Sequence, residues 1–204
     1  MKGLFRKDLY VLRSMGWLFI LLDLSFALIP DLRFFAFAAF YTVMLAMALA
    51  QTDEQSQWDT LLPMLPVSRR QVVLEKYLAG WGYMGLDALL ALAGQLVWQR
   101  IGFMPVNGAY LMLLCLYLCL ALVVQGIVMP ILFRFGTARG RIILGVSLGA
   151  VMGVMAGIVG GNGYETVAAF LPKLRGWHLL ALGAALSALS IPLSLAGYRK
   201  RIKR

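Results

Sequence analysis

Charge is what this sequence has least of. Only 14% of its 204 residues are charged, nine of them acidic, while 61% are hydrophobic and the mean hydropathy is +0.81. A soluble domain is roughly 45–50% apolar and about 25% charged, so the composition excludes that class and points to lipid as the solvent. Histidine is nearly missing: His178, beside Trp177 at the start of the last apolar run, is the only one. Cysteine occurs twice. Cys115 and Cys119 stand i, i+4 on one apolar helix and read as small core residues, with no disulfide framework or metal spacing around them. With one interfacial histidine, no Glu–Glu pair and no Ser/Lys or Ser/His set, no catalytic constellation assembles and no metal site is expected. A G-x-x-x-x-G-K-[ST] phosphate loop is also missing; the glycine-rich run near Gly157 to Gly163 contains no lysine. Nor is a cleavable leader expected, because the first apolar run, from Met15 to Ile29, lacks a small-residue cleavage site and leads straight into a second run.

What is present is a series of apolar segments. Six can be drawn, at about 15–31, 34–50, 77–98, 109–133, 142–160 and 177–197, each near the roughly 20 residues a helix needs to cross the hydrocarbon core. Pro30-Asp31-Leu32-Arg33 turns the first into the second. Basic residues sit at the segment edges, which is how orientation is encoded in membranes; this placement argues against a nucleic-acid partner despite the formal net charge of +10. With the N-terminus inside, the connections on that side hold Lys2, Arg6, Lys7, Arg13, Arg69, Arg70, Lys76, Arg134, Arg139, Arg141, Arg199, Lys200, Arg201, Lys203 and Arg204. The opposite side keeps only Arg33, Arg100, Lys173 and Arg175. The expected fold is therefore an all-α polytopic integral membrane protein with six transmembrane helices and both termini in the cytoplasm. Residues 1–14 are expected to form an amphipathic interfacial helix, since Leu4, Phe5, Leu9 and Leu12 fall near helical spacing among basic residues suited to anionic lipid. An unstructured basic leader is the alternative. Residues 15–204 form the six-span domain.

The cytoplasmic connection from Gln51 to Tyr77 carries the most information. Thr52 and Gln55 fit a capping box, with Asp53 and Glu54 in the first turn where the helix dipole favours them. Trp58, Leu61, Leu62 and Leu65 follow at i, i+3, i+4 and i+7, predicting an apolar stripe on a helix over about 53–65. Pro63 and Pro66 stop that helix, and Ser68 with Gln71 forms a second capping box before the third span. A water-facing apolar stripe needs a partner: the bilayer, the protein's own spans, or a groove on another protein.

These residues resemble the bacterial type 2 ABC exporter permeases in their compact six-span form. The resemblance lies in the basic amphipathic leader, the apolar hairpin and the connection holding Glu54, Trp58, Leu61 and then Leu65-Pro66-Val67-Ser68-Arg69 ahead of Lys76. It implies that the 53–65 segment is a coupling helix docking into a cytoplasmic ABC ATPase, with Glu54, Trp58, Leu61, Leu62 and Leu65 as docking residues. It further implies two ATPase copies holding ATP and magnesium and a place in the bacterial plasma membrane; because six spans are few for a full pathway, a second permease subunit, identical or paralogous, is also expected. The chain itself is expected to hold no cofactor.

Ionisable groups inside spans cost about 2.5–3.5 kcal/mol on insertion scales, so each needs a reason. Asp23 and Asp87, with Gln95 and Gln125, are candidates for a translocation path that favours peptides or small amphipathic compounds; interhelical hydrogen bonding is the alternative. Gly145, Gly149, Gly153, Gly157 and Gly161 form an i, i+4 series in the fifth span, read as a close-packing stripe or as a sliding or dimer surface, with Ala181, Ala184, Ala185 and Ala188 as a counterface. Two competing functions stay open: a non-transporting immunity, assembly or sensor partner, and an ion-coupled carrier using Asp23 or Asp87.

Overall fold

A chain this apolar must satisfy its backbone within each segment, because lipid offers no hydrogen bonds; helices do this. The computed structural model describes residues 2–27, 35–61, 64, 67–102, 108–160 and 176–202. They form α1 (Lys2–Ala27), α2 (Phe35–Gln55), α3 (Trp58–Leu61), α4 (Arg69–Arg100), α5 (Gly108–Phe135), α6 (Thr137–Gly160) and α7 (Gly176–Ile202), with no strand among the described residues. The all-α class holds. Among the described residues two stretches, Leu114–Phe135 and Gly176–Lys200, are long and apolar enough by length and composition to cross a membrane.

Three boundaries differ from expectation. First, α1 runs without a break through residues 14 and 15, so the leader and the first apolar run are one helix. Its inward residues near the start are polar or small, Asp8 and Gly16, whereas Leu9 is 60% exposed. Second, Thr52 and Gln55 do not cap a new helix; they lie in the last turn of α2, where Thr52 Oγ1 donates to the Ala48 carbonyl at 2.9 Å. Extending α2 adds one hydrogen bond per residue, while a fresh start must nucleate a whole turn. The chain breaks only at Gln57, whose φ of +51° lies in the left-handed region. Third, the described part of the expected 53–65 helix is therefore divided between the end of α2 and the single turn of α3. Leu62 and Leu65 lie outside the described residues. The second capping box is present: Ser68 Oγ accepts from the Gln71 N–H, and Gln71 Oε1 accepts from the Ser68 N–H at 2.9 Å.

The most extensive helix pair is α5 with α7. On α7, Gly176, Gly183, Ser190 and Gly197 recur every seven residues, joined by Ser187 and Ser194, and from Gly183 onward all of these are buried. A seven-residue repeat of small side chains lets two backbones approach along a continuous seam. A Cβ on Gly183 would stand 3.0 Å from the Cys119 Cα, and one on Gly197 would stand 3.3 Å from the Pro130 carbonyl oxygen. Gly183→Val forces this seam apart; overpacking of this kind costs about 1–3 kcal/mol. The expected result is a lower melting temperature in detergent, and an unchanged one would contradict this packing.

Within the chain, that seam and not the expected pairing of the glycine stripe with the α7 alanines is the close-packed one. Gly145, Gly149 and Gly153 meet nothing within 4 Å of where a Cβ would sit. α6 packs on α2 and α5, and Ala181, Ala184, Ala185 and Ala188 are exposed on α7. The buried small residues of α7 already face α5, so its alanine face points away. Gly157 lies in α6, and Gly161 is outside the described residues.

Candidate functional site

The start of α1, the end of α2 and the start of α4 meet at one end of the bundle in a closed ring of alternating charges. Lys76 Nζ on α4 donates to Asp8 Oδ2 at 2.7 Å and pairs with Asp53 Oδ2 at 2.8 Å. Lys7 Nζ pairs with Asp8 Oδ1 at 3.3 Å and donates to Asp53 Oδ1, which closes the ring. Lys76 is only 2% exposed. Burial alone would lower its pKa, but Asp53 and then Asp8 outweigh burial and hold the ammonium above its usual range. Burial likewise tends to raise the Asp8 carboxyl, yet the Lys76 charge, helped by the neighbouring Glu75 carboxyl, leaves it below the ordinary carboxylate range.

Glu75 differs. It is 2% exposed, and burial, reinforced by the neighbouring Asp8, raises its carboxyl to about 8. Near neutral pH it is the protonated partner of Asp8. The folded protein therefore holds this proton between about pH 4.5 and 8, where the unfolded chain has released it. Stability from this group is full below pH 4.5 and is lost as pH rises towards 8, by about 1.4 kcal/mol per unit at most. Unfolding followed across this range should show the decline in the parent and a flatter profile in Glu75→Gln. Equal slopes would contradict a buried proton at Glu75.

Two further contacts tie neighbouring elements to this ring. Lys7 Nζ lies 4.4 Å from the centre of the Trp58 ring, a cation–π contact that seats α3. Trp58 also packs beside the cluster of Val72, Val73, Tyr77, Met129, Phe133 and Tyr198. Glu54 Oε2, one residue after Asp53, accepts the Thr137 N–H at 3.0 Å, placing a carboxylate at the positive end of α6. Gly136 makes this approach possible: its φ is +86°, and a Cβ there would stand 2.9 Å from Glu54 Oε1. One turn of helix is thus fastened to a junction of α1, α2, α4 and α6. Beyond it Leu61 is 47% and Met64 83% exposed.

Residues 3–198 match the family described as ABC-2 family transporter protein. The chain belongs to that family. No curated protein and no solved structure matches the chain. It is thus a membrane permease domain of an ABC transporter, a non-catalytic membrane subunit that works with an ABC ATPase.

The permease places the expected site residues unevenly. Of the described members of the docking set, Glu54 and Trp58 are engaged within the chain and Leu61 is exposed; Leu62 and Leu65 lie outside the described residues. Asp87 and Gln95 share a buried i, i+4 face of α4 with Tyr83 and Ala91. Gln125 is buried on α5 and meets that helix lower down, its Nε2 donating to the Tyr77 carbonyl at 3.5 Å. Asp23 lies in α1, and its side chain is outside the described residues. A polar seam between α4 and α7 was not expected. The Tyr77 hydroxyl bonds Ser190 Oγ at 2.6 Å and Ser194 Oγ at 2.8 Å, and Trp81 Nε1 donates to Ser187 Oγ at 3.1 Å. The i, i+3, i+7 serines of the last apolar run were its signal in the sequence.

Proposed function

We propose that this chain is the permease half of an ATP-driven exporter, moved by its ATPase through α3. The observation that carries this reading is an exposed apolar tip, Leu61 and Met64, rooted by Trp58 in a charge ring that joins α1, α2 and α4. In this reading Leu61, Met64, Leu62 and Leu65 dock into a groove of the ATPase. Trp58 and Glu54 carry the displacement inward, Trp58 to the ring and Glu54 to α6. ATP and magnesium are held by two ATPase copies, and a second permease, identical or paralogous, completes the pathway. Nucleotide-driven closure rocks the helices and alternates access to a central path. Six spans with both termini in the cytoplasm of a bacterial cell place the charge ring and α3 on the ATPase side. Asp23, Asp87, Gln95 and Gln125 line the path, which carries peptides or small amphipathic compounds.

Co-expression with the partner ATPase tests this directly. The expected outcome is co-purification and ATP hydrolysis stimulated by the permease. A chain that neither retains nor stimulates the ATPase overturns the reading, and transport that persists in ATP-depleted cells but is lost on Asp87→Asn replaces it with an ion-coupled carrier.

A further inference from the structure

Beside the charge ring, a cavity of about 320 Å³ opens between α1, α2 and α4. Asp8 and Glu75 line one end of it; its walls are Leu9, Leu12, Leu78, Gly82 and Leu86, among other apolar groups. Its volume lies at the small end of the range for small-molecule sites. On α4, residues 75, 78, 82 and 86 follow one helical face for ~16 Å.

The charges at this end balance only while Glu75 keeps its proton; once it is lost, a cation is needed in its place. Three carboxyls, Asp8 of α1, Asp53 of α2 and Glu75 of α4, face two ammonium groups, Lys7 of α1 and Lys76 of α4. Glu54 turns away to the start of α6. Both Glu75 oxygens are buried, and no described donor reaches either one. Ionised Glu75 would thus be a buried carboxylate with no counter-charge of its own, a state strongly disfavoured in apolar surroundings. The described acids do not group as a metal site, and the walls are apolar, so the matching cation is one carried on a hydrocarbon body.

We propose that this cavity binds a hydrophobic monocation, a lipophilic amine whose ammonium sits on Glu75 and whose tail runs along α4 past Gly82 to Leu86. The ammonium takes the place of the Glu75 proton, which leaves to solvent, so the charge count is conserved. A wider groove of about 800 Å³ shares Leu9, Leu12, Tyr83 and Leu86 with this cavity and carries Arg6 and Arg13. Those arginines suit an anionic amphiphile, which makes it the competing occupant.

Dodecylamine titrated into the full-length chain in nanodiscs tests the proposal, with dodecanol and dodecyl phosphate as comparators. Saturable binding of dodecylamine with release of one proton is expected. Its apparent affinity should rise about tenfold per pH unit up to about pH 8 and level off above, since alkyl ammonium ions stay charged there. Glu75→Gln mimics the neutral acid, so it keeps the fold and should lose at least tenfold in affinity together with the pH dependence. Gly82→Leu alters no charge, and an added Cβ there meets nothing within 4 Å; by filling the tail channel it should weaken binding as well. Equal binding by both variants, equal binding of dodecanol, tighter binding of dodecyl phosphate, or no saturable binding at any pH overturns the proposal.

Discussion

Replacing Lys76 by Met should destabilise the permease by about 3–5 kcal/mol, the usual cost of removing one partner from a buried ion pair. Lys76 is the cation shared by Asp8 and Asp53, at 2.7 and 2.8 Å, and almost nothing of it reaches solvent. Methionine is close to lysine in length and fills the space, so the loss is electrostatic rather than a cavity effect. Lys7 remains, but it already touches both carboxylates and cannot neutralise two charges. Thermal unfolding in detergent measures the effect. A second substitution, Asp8→Asn in the Lys76→Met background, should cost less than it does alone, because residues in one ion-pair network do not add independently. Strict additivity would show that the ring is not a unit.

Leu61→Asp combined with Met64→Asp should act in the opposite manner, leaving stability within about 0.5 kcal/mol while removing the ATPase. Both side chains are already exposed, and surface changes of this sort have small effects on folding. Loss of a single interface hot spot costs about 2 kcal/mol or more, so with one such anchor at this tip affinity for the ATPase should fall by roughly 30-fold or more. Stimulated hydrolysis should fall with it. The two predictions separate holding the junction from docking on it: Lys76→Met loses both stability and stimulation, and Leu61→Asp with Met64→Asp loses only stimulation.

Much of the architecture was legible because it is local. Apolar runs write the helices, Ser68 and Gln71 write the start of α4, and the Glu54 to Lys76 connection pointed to the ABC-2 family. The charge ring was not legible. Asp8 and Lys76 are 68 residues apart and Lys7 and Asp53 are 46 apart, and no periodicity joins them. Read alone, Lys7 and Asp8 belong to a basic leader and Asp53 to a helix start; only the packing of α1 against α2 and α4 turns them into one site. The glycine pattern left the packing within the chain open for a related reason. An i, i+4 series in α6 is conspicuous, yet the sparser sevenfold series in α7 is the one with a helix seated on it. A small-residue stripe permits close approach, and which stripe is used depends on the neighbour.

The central claim is that the ATPase docks on the tip formed by the end of α3 and Met64. Photo-crosslinking in membranes containing the ATPase measures this most directly, with a photoreactive residue placed at Leu61, at Met64 or, for comparison, at Leu189, which is exposed on α7. Adducts with the ATPase from positions 61 and 64 and none from position 189 are the predicted result. No adduct from either tip position while the complex is intact would contradict the claim.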